Sequence, residues 1–508
     1  TLSDESDEIM GRATVTARFT DEGVTHLPLD LTGPRADGTG MTVASVSDGT
    51  APLAFTHQAD LLNVTLGGPS TTGTRTHVVI EYRGKPSTGL HIGPNKYGDR
   101  TFFSDNWPNR ARNWLPTIDH VYEKAANEFV VTAPVHYQVV SNGILVEETD
   151  LGEGVRRTHW KQSAPIPPWL YVLGVARFAV QHLGEVDGVP LQTWVYAQDR
   201  DAGFYDFAVP TRRAMEYYQD WVGPYAYEKL ANITSPVTGG GMEAATAIMY
   251  HESSVTGERT TRWRNVIIHE VAHQWFGNAV TEADWDDVWL SEGFATYFTL
   301  LFIEHAYGRQ EFVEGLRAAA ERVWNWYDEN PDYRIVHDNL DDMSRVTSIA
   351  TYQKGAWILH MLRRRLGDEV FWDGIRTYYA AFMNGSATTA DFRRVMEEAS
   401  GQDLSVFFEQ WLYRGGNPHL TGSWSHDPDR GVVAVELRQI QDRGPVFDLP
   451  LEVGVFYEGD LTPRSVHRIR LDDREGRFEL DVDETPADVR LDPGTWTLFR
   501  GGLTRPER

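Results

Sequence analysis

The chain has no cysteine among its 508 residues, which excludes disulfides and thiolate chemistry and leaves His, Asp and Glu as the side chains able to hold a metal. That absence does not separate the cytosol from the exterior, so the compartment stays open. No apolar run approaches the roughly 18 residues a membrane-spanning helix needs; the best are short stretches such as Phe298 to Ile303. Positive charge is scarce. Lys and Arg number 47 against 73 Asp and Glu, a net charge of −26 that repels nucleic acid and anionic membranes. Internal repeats and low-complexity tracts are also lacking, apart from a short acidic start, Asp4 to Glu8. The sequence opens at Thr1 without an initiator Met, from which the loss of an upstream segment is expected.

What is present divides into three parts. At this length, with 41% hydrophobic residues, two or three cores are expected. The first part has β-rich runs between turn signals: ATVTARF at 13–19, HVVIEY at 77–82, FVVTAPVHYQVV at 129–140 and YVLGVARFAV at 171–180. From about Asp201 the spacing turns helical, over 207–221, 263–276, 292–305 and 355–366. After GGNPHL at 415–420, alternation returns in GVVAVELRQI, LPLEVGVFY and RSVHRIRL. The expectation is a multidomain α+β protein: an all-β domain over 1–200, a mainly helical domain with a small sheet over 201–415, and a β-sandwich over 416–508.

The chemistry sits in HEVAH at 269–273, within an uninterrupted helical pattern. Two histidines four apart share one helix face, about one turn apart, so both imidazoles reach a single tetrahedral zinc. Glu270 is placed beside the metal without ligating it, as the general base for a water activated there. A second helical pattern, WLSEGFATYF at 289–298, puts Glu292 nineteen residues after His273 as the third ligand. Two His and one Glu leave a fourth position open, the mark of a catalytic zinc site, with one ion per chain. His360, in AWILHML, reads instead as a packed helix residue. Asp286 and Asp287 are candidates to orient a ligand histidine.

HEVAHQWFGNAVT followed by WDDVWLSEGFATYF resembles the signature of the zinc-dependent aminopeptidase N family, gluzincins with a thermolysin-like catalytic domain. The resemblance implies a saddle-like N-terminal β domain and hydrolysis of the N-terminal residue from peptides with a free α-amine. GGMEA at 240–244 is similar to the family's substrate-binding G-x-M-E-N element, and TYQKGA at 351–356 to its Tyr-containing segment. Glu243 would then bind the substrate amine, with Gly240, Gly241 and Met242 in the same substrate-binding element, Met242 reading equally as the floor of the first pocket or as a gap filler, and Tyr352 would donate to the oxyanion. A carboxylate at fixed distance from the metal pairs with an ammonium and so measures one residue from the chain end. A phenol near the metal counts mainly in the transition state.

Several departures stand out. Ala244 replaces the family's Asn; Asp105 takes the place of a Gln expected to assist amine binding, and Trp107 that of a second polar group, offering an aromatic wall to the first pocket. The sequence ends near VRLDPGTWTLFRG without the family's helical C-terminal domain, so a short form with an open site and broad tolerance of peptide length is expected. Few residues precede EIMGRATVTARF, which implies a truncated N-terminus. A monomer is expected. An endopeptidase would share the zinc machinery without needing Glu243; an epoxide hydrolase, as in one branch of the family, would need a lipid tunnel that nothing in the sequence indicates. A zinc-containing peptide-binding protein would need neither Glu270 nor Tyr352.

Overall fold

A computed structural model describes residues 1–337, 340, 342–442, 444 and 446–505. Its contacts group into two compact units, Thr1–Asp284 with Phe382–Ala387, and Trp285–Ala381 with Thr388–Arg508. The order of elements is a β-rich N-terminal region, a mainly helical middle and a C-terminal β region. Among the described residues no helix is long and apolar enough to cross a membrane.

In the first unit, strict alternation builds sheets with one covered face. Arg75–Lys85 is the central strand between Ile9–Arg18 and Gly40–Ser47, and its Val78, Ile80 and Tyr82 are buried in turn. The run at 129–140 is two strands, Ala125–Pro134 and Gln138–Ser141, because the chain turns at Val135 and His136. The run at 171–180 likewise divides. Leu173–Ala176 joins a four-stranded sheet, and the chain crosses at Arg177 so that Phe178–Val186 starts a five-stranded one.

That five-stranded sheet carries the functional segment. Its order is Phe178–Val186, Val189–Tyr196, Leu230–Ser235, Ala247–His251 and Gly241–Met242, with parallel pairing in the middle and antiparallel pairing at both ends. The break expected at residue 200 therefore falls inside one continuous sheet. Helix α1, Arg200–Trp221, packs against helix α2, Thr261–His273. The second half of α2 is almost wholly buried, from Ile267 to His273. Phe382–Ala387 belongs to this unit because Gly385–Ala387 pairs in parallel with Val280–Glu282.

The second unit holds α3 (Trp289–Tyr307), α4 (Arg309–Glu329), α5 (Gly355–Leu366), most of α6 (Asp368–Phe382), α7 (Thr389–Ser400) and α8 (Ser405–Leu412). Helix α3 is apolar on nearly every side and is the buried axis of the group. A capping box between Thr388 and Asp391 starts α7. The C-terminal strands form a four-stranded sheet, centred on Val432–Gln439 and His419–Asp427, and a three-stranded sheet centred on Leu449–Phe456. Trp496 ties this β region to the helices: its ring stacks on His360 at 4.8 Å and lies under the guanidinium groups of Arg309 and Arg364.

His360 is packed, as its setting in AWILHML suggested. The ring donates to the Thr495 carbonyl through Nε2 at 2.9 Å and accepts from the Tyr297 hydroxyl at Nδ1, 3.1 Å away. Burial pushes its pKa down to about 3 from 6.5, so the folded ring stays neutral. Between those two values the unfolded chain binds the extra proton and the folded one does not, so stability falls as pH drops from 6.5 towards 3, by roughly 1 kcal/mol per pH unit from this group. Thermal melts between pH 7 and 5 are expected to show a steeper loss in the wild type than in His360→Leu, although the variant starts less stable.

Candidate active site

The ligand histidines lie where α2 ends. Gly277, at φ 109°, turns the chain, so that the segment read as helical to Phe276 leaves the helix after His273. The carbonyl of Phe276 folds back to accept from Nδ1 of His273 at 3.1 Å. This bond fixes the tautomer and leaves Nε2 of His273 with a lone pair, 3.0 Å from Nε2 of His269. Two imidazole nitrogens on one tetrahedral zinc are roughly 3.3 Å apart, so the pair fits such an ion.

Glu270 is buried on the same turn. Its carboxylate lies against the backbone of Gly241, where a Cβ would sit 2.1 Å from Oε1. The strand Gly241–Met242 is thus laid directly along the base. Glu243 follows it, 6% exposed, and oxygen or nitrogen atoms of Glu243, Glu270 and His273 lie within 4.8 Å of one another. Gly240 holds the strand in place by accepting from His251 N at 2.8 Å, while Met242 is buried in register with Met249. Burial, with Glu270 nearby as the second cause, keeps the Tyr250 phenol well above its ordinary pKa and therefore neutral.

Asp105 and Trp107 take up other partners. Asp105 accepts from Arg110 at 2.6 Å, in a cavity of about 450 Å³ lined also by Lys85, His91, Pro236 and Val237. Burial raises the Asp105 pKa, and Arg110 opposes that shift. Trp107 meets Trp169 edge-on at 4.9 Å.

In the second unit Glu292 occupies the first turn of α3 and is 4% exposed. The Tyr352 hydroxyl donates to its Oε1 at 2.6 Å. Tyr352 sits on a π-helical turn, Ala350–Lys354, that opens into α5. This approach depends on two glycines, since a Cβ at Gly293 would lie 3.0 Å from Gly355 Cα and 3.1 Å from Thr351 O. Asp286 pairs with His337 at 3.1 Å, and Asp287 accepts from the backbone N and Oγ1 of Thr389 at the start of α7. The Phe276 carbonyl, a main-chain atom no motif reveals, orients His273.

Sequence reading also missed Gln274 and Asn278, both fully buried, whose side-chain amides donate to the Glu243 carbonyl at 2.8 and 2.7 Å. Lys124 is a further omission. Its ammonium donates to the carbonyls of Asn278, Ala279 and Gly385, and burial pushes its pKa down to about 7. The available signal was the presence of amides in the apolar stretch just after HEVAH.

A β-rich first region, helices bearing HEVAH and a C-terminal β region together make the fold of a zinc-type metallopeptidase. The fold is similar to that of an M1 zinc metallopeptidase from Deinococcus radiodurans, with a TM-score of 0.69 and 25% identity over 80% of this chain and 89% of that one. The model of the peptidase family M1 domain matches residues 207–411 and that of the peptidase M1 N-terminal domain matches 2–170; the chain belongs to peptidase family M1. Among curated relatives it is 28% identical over 334 residues to glutamyl aminopeptidase of Mus musculus, covering 63% of this chain and 35% of that protein. It is 25% identical over 434 residues to the puromycin-sensitive aminopeptidase of Caenorhabditis elegans, covering 80% of this chain and 44% of that protein. The chain spans about a third of the length of the glutamyl aminopeptidases it matches.

Replacing Gly293 by Val is expected to overpack the helix contact and lower the unfolding free energy by about 1–3 kcal/mol in denaturant titration.

Proposed function

We propose that the protein is a zinc aminopeptidase that removes the N-terminal residue from peptides with a free α-amine. The observation that carries this reading is the arrangement along α2: paired Nε2 atoms, a buried base on the same turn, and an edge strand with Glu243 beside it. Zinc, held by His269, His273 and Glu292, would supply a Lewis acid that acidifies water and polarises the scissile carbonyl. The ligand set rests on the HEVAH spacing, on Glu292 nineteen residues later, and on family membership.

Glu270 takes the proton from the attacking water and returns it to the leaving amine. Tyr352 donates to the carbonyl oxygen as negative charge develops, releasing Glu292 to do so. Glu243 pairs with the substrate ammonium and so fixes which bond reaches the base. A structural neighbour bound to the amino acid L-tryptophan, 25% identical over 80% of this chain, supports a site that accepts a free amino acid. Gly240, Gly241 and Met242 form the backbone ledge along which the peptide lies. Asp105 and Trp107 are proposed as more distant contributors, Asp105 acting together with Arg110 and not as a free carboxylate. One chain supplies every group, so a monomer suffices.

Assays on free-amino and N-acetylated aminoacyl substrates, with and without chelator, test the reading. Cleavage confined to free amines and lost on chelation is expected; cleavage of acetylated peptides would make the protein an endopeptidase. Glu270→Gln is expected to lower kcat about 1,000-fold while retaining zinc, and Tyr352→Phe to lower kcat about 100-fold with little change in KM.

A further inference from the structure

Strand Gly241–Met242 has only two residues on the sheet, too few to hold Glu243 firmly by pairing alone. The constraint comes from the other side. Glu243's carbonyl oxygen accepts from Gln274 Nε2 at 2.8 Å and from Asn278 Nδ2 at 2.7 Å. Both donors are rigidly attached to the histidine helix. Gln274 is the residue after His273, and the backbone N–H of Asn278 donates to the His273 carbonyl at 3.1 Å.

The other half of the Gln274 amide works on the same segment. Its Oε1 accepts from Thr246 N at 3.0 Å and from the Tyr225 hydroxyl at 3.3 Å. Thr246, at φ 65°, closes the turn after Glu243, and its hydroxyl accepts from Gly143 N and Lys229 Nζ. Residues 243–246 are thereby clamped between the end of α2 and the N-terminal sheets.

Asn278 is informative for what it lacks. Among the described residues its Oδ1 is buried without a hydrogen-bond partner, while Nδ2 is used. A buried polar atom left unmatched is costly, and an apolar side chain of the same size would avoid it. The position is therefore held for its donor.

We propose that Gln274 and Asn278 are positioning residues that set the separation of the Glu243 carboxylate from the His269–His273 pair, and through it the preference for substrates with a free amine. This rests on the reading of Glu243 as the ammonium anchor. Small displacements of such an anchor weaken an ammonium–carboxylate pair and misalign the scissile bond. A compound without an ammonium gains nothing from the anchor and is unaffected by its displacement.

The test measures competitive inhibition by L-leucinamide and by its des-amino counterpart, 4-methylpentanamide, whose ratio of inhibition constants reports amine recognition. Asn278→Leu is expected to raise KM for free-amino substrates more than it lowers kcat, and to narrow the ratio about tenfold, with zinc content and the des-amino constant unchanged. Gln274→Glu removes the donor to Glu243 but keeps the acceptor for Thr246, and provides the same readout should Asn278→Leu fail to fold. In a Glu243→Gln background the ratio is expected to be already collapsed, with no further change on adding Asn278→Leu. If Glu243→Gln leaves the ratio intact, the anchor reading falls and this proposal with it. If Glu243→Gln collapses the ratio while Asn278→Leu and Gln274→Glu change only melting temperature or kcat, the anchor stands and the positioning role is overturned.

Discussion

Everything in the first unit's site is referred to the way α2 ends. A helix that ran on would leave His273 free to rotate and would carry Gln274 and Asn278 away from the sheet. Instead the chain leaves the helix after His273, and Gly277 takes a backbone conformation few other residues accept. The Phe276 carbonyl then captures Nδ1 of His273, and Asn278 returns its backbone to the His273 carbonyl. One short turn thus fixes a ligand tautomer and aims two amides at the strand that carries Glu243.

Two buried carboxylates stand beside the histidine pair. Glu243 and Glu270 each bring a carboxylate oxygen within 4.8 Å of the other and of a His273 nitrogen, and both are buried. In the proposed reading a divalent ion at the histidines and a substrate ammonium at Glu243 would each bring positive charge to these carboxylates. The surrounding interior uses cations differently: Lys124 and Lys229 donate to backbone carbonyls and a hydroxyl, and burial brings both ammonium groups down to about 7. They hold loops in place.

Much of this was legible in the chain because its signals are local. HEVAH and WLSEGFATYF carry helical spacing and metal-binding residue types together, and the C-terminal strands alternate plainly. The less legible parts depend on contacts distant in sequence. A two-residue strand at 241–242 has no periodicity to detect, and the switch of sheets at Arg177 lies inside what reads as one β run. The π-helical turn that presents Tyr352 follows from the packing of Gly293 on Gly355, 62 residues apart in the chain. Asp105 looked available for an amine until Arg110, in the same loop, was found on its carboxylate.

X-ray absorption at the zinc edge of the purified, metal-loaded protein tests the central claim most directly. One zinc per chain with two imidazole nitrogens at about 2.0–2.1 Å and carboxylate and water oxygens completing the shell is expected, with one imidazole lost in His273→Ala. A shell without imidazole, or zinc bound unchanged in that variant, would contradict it.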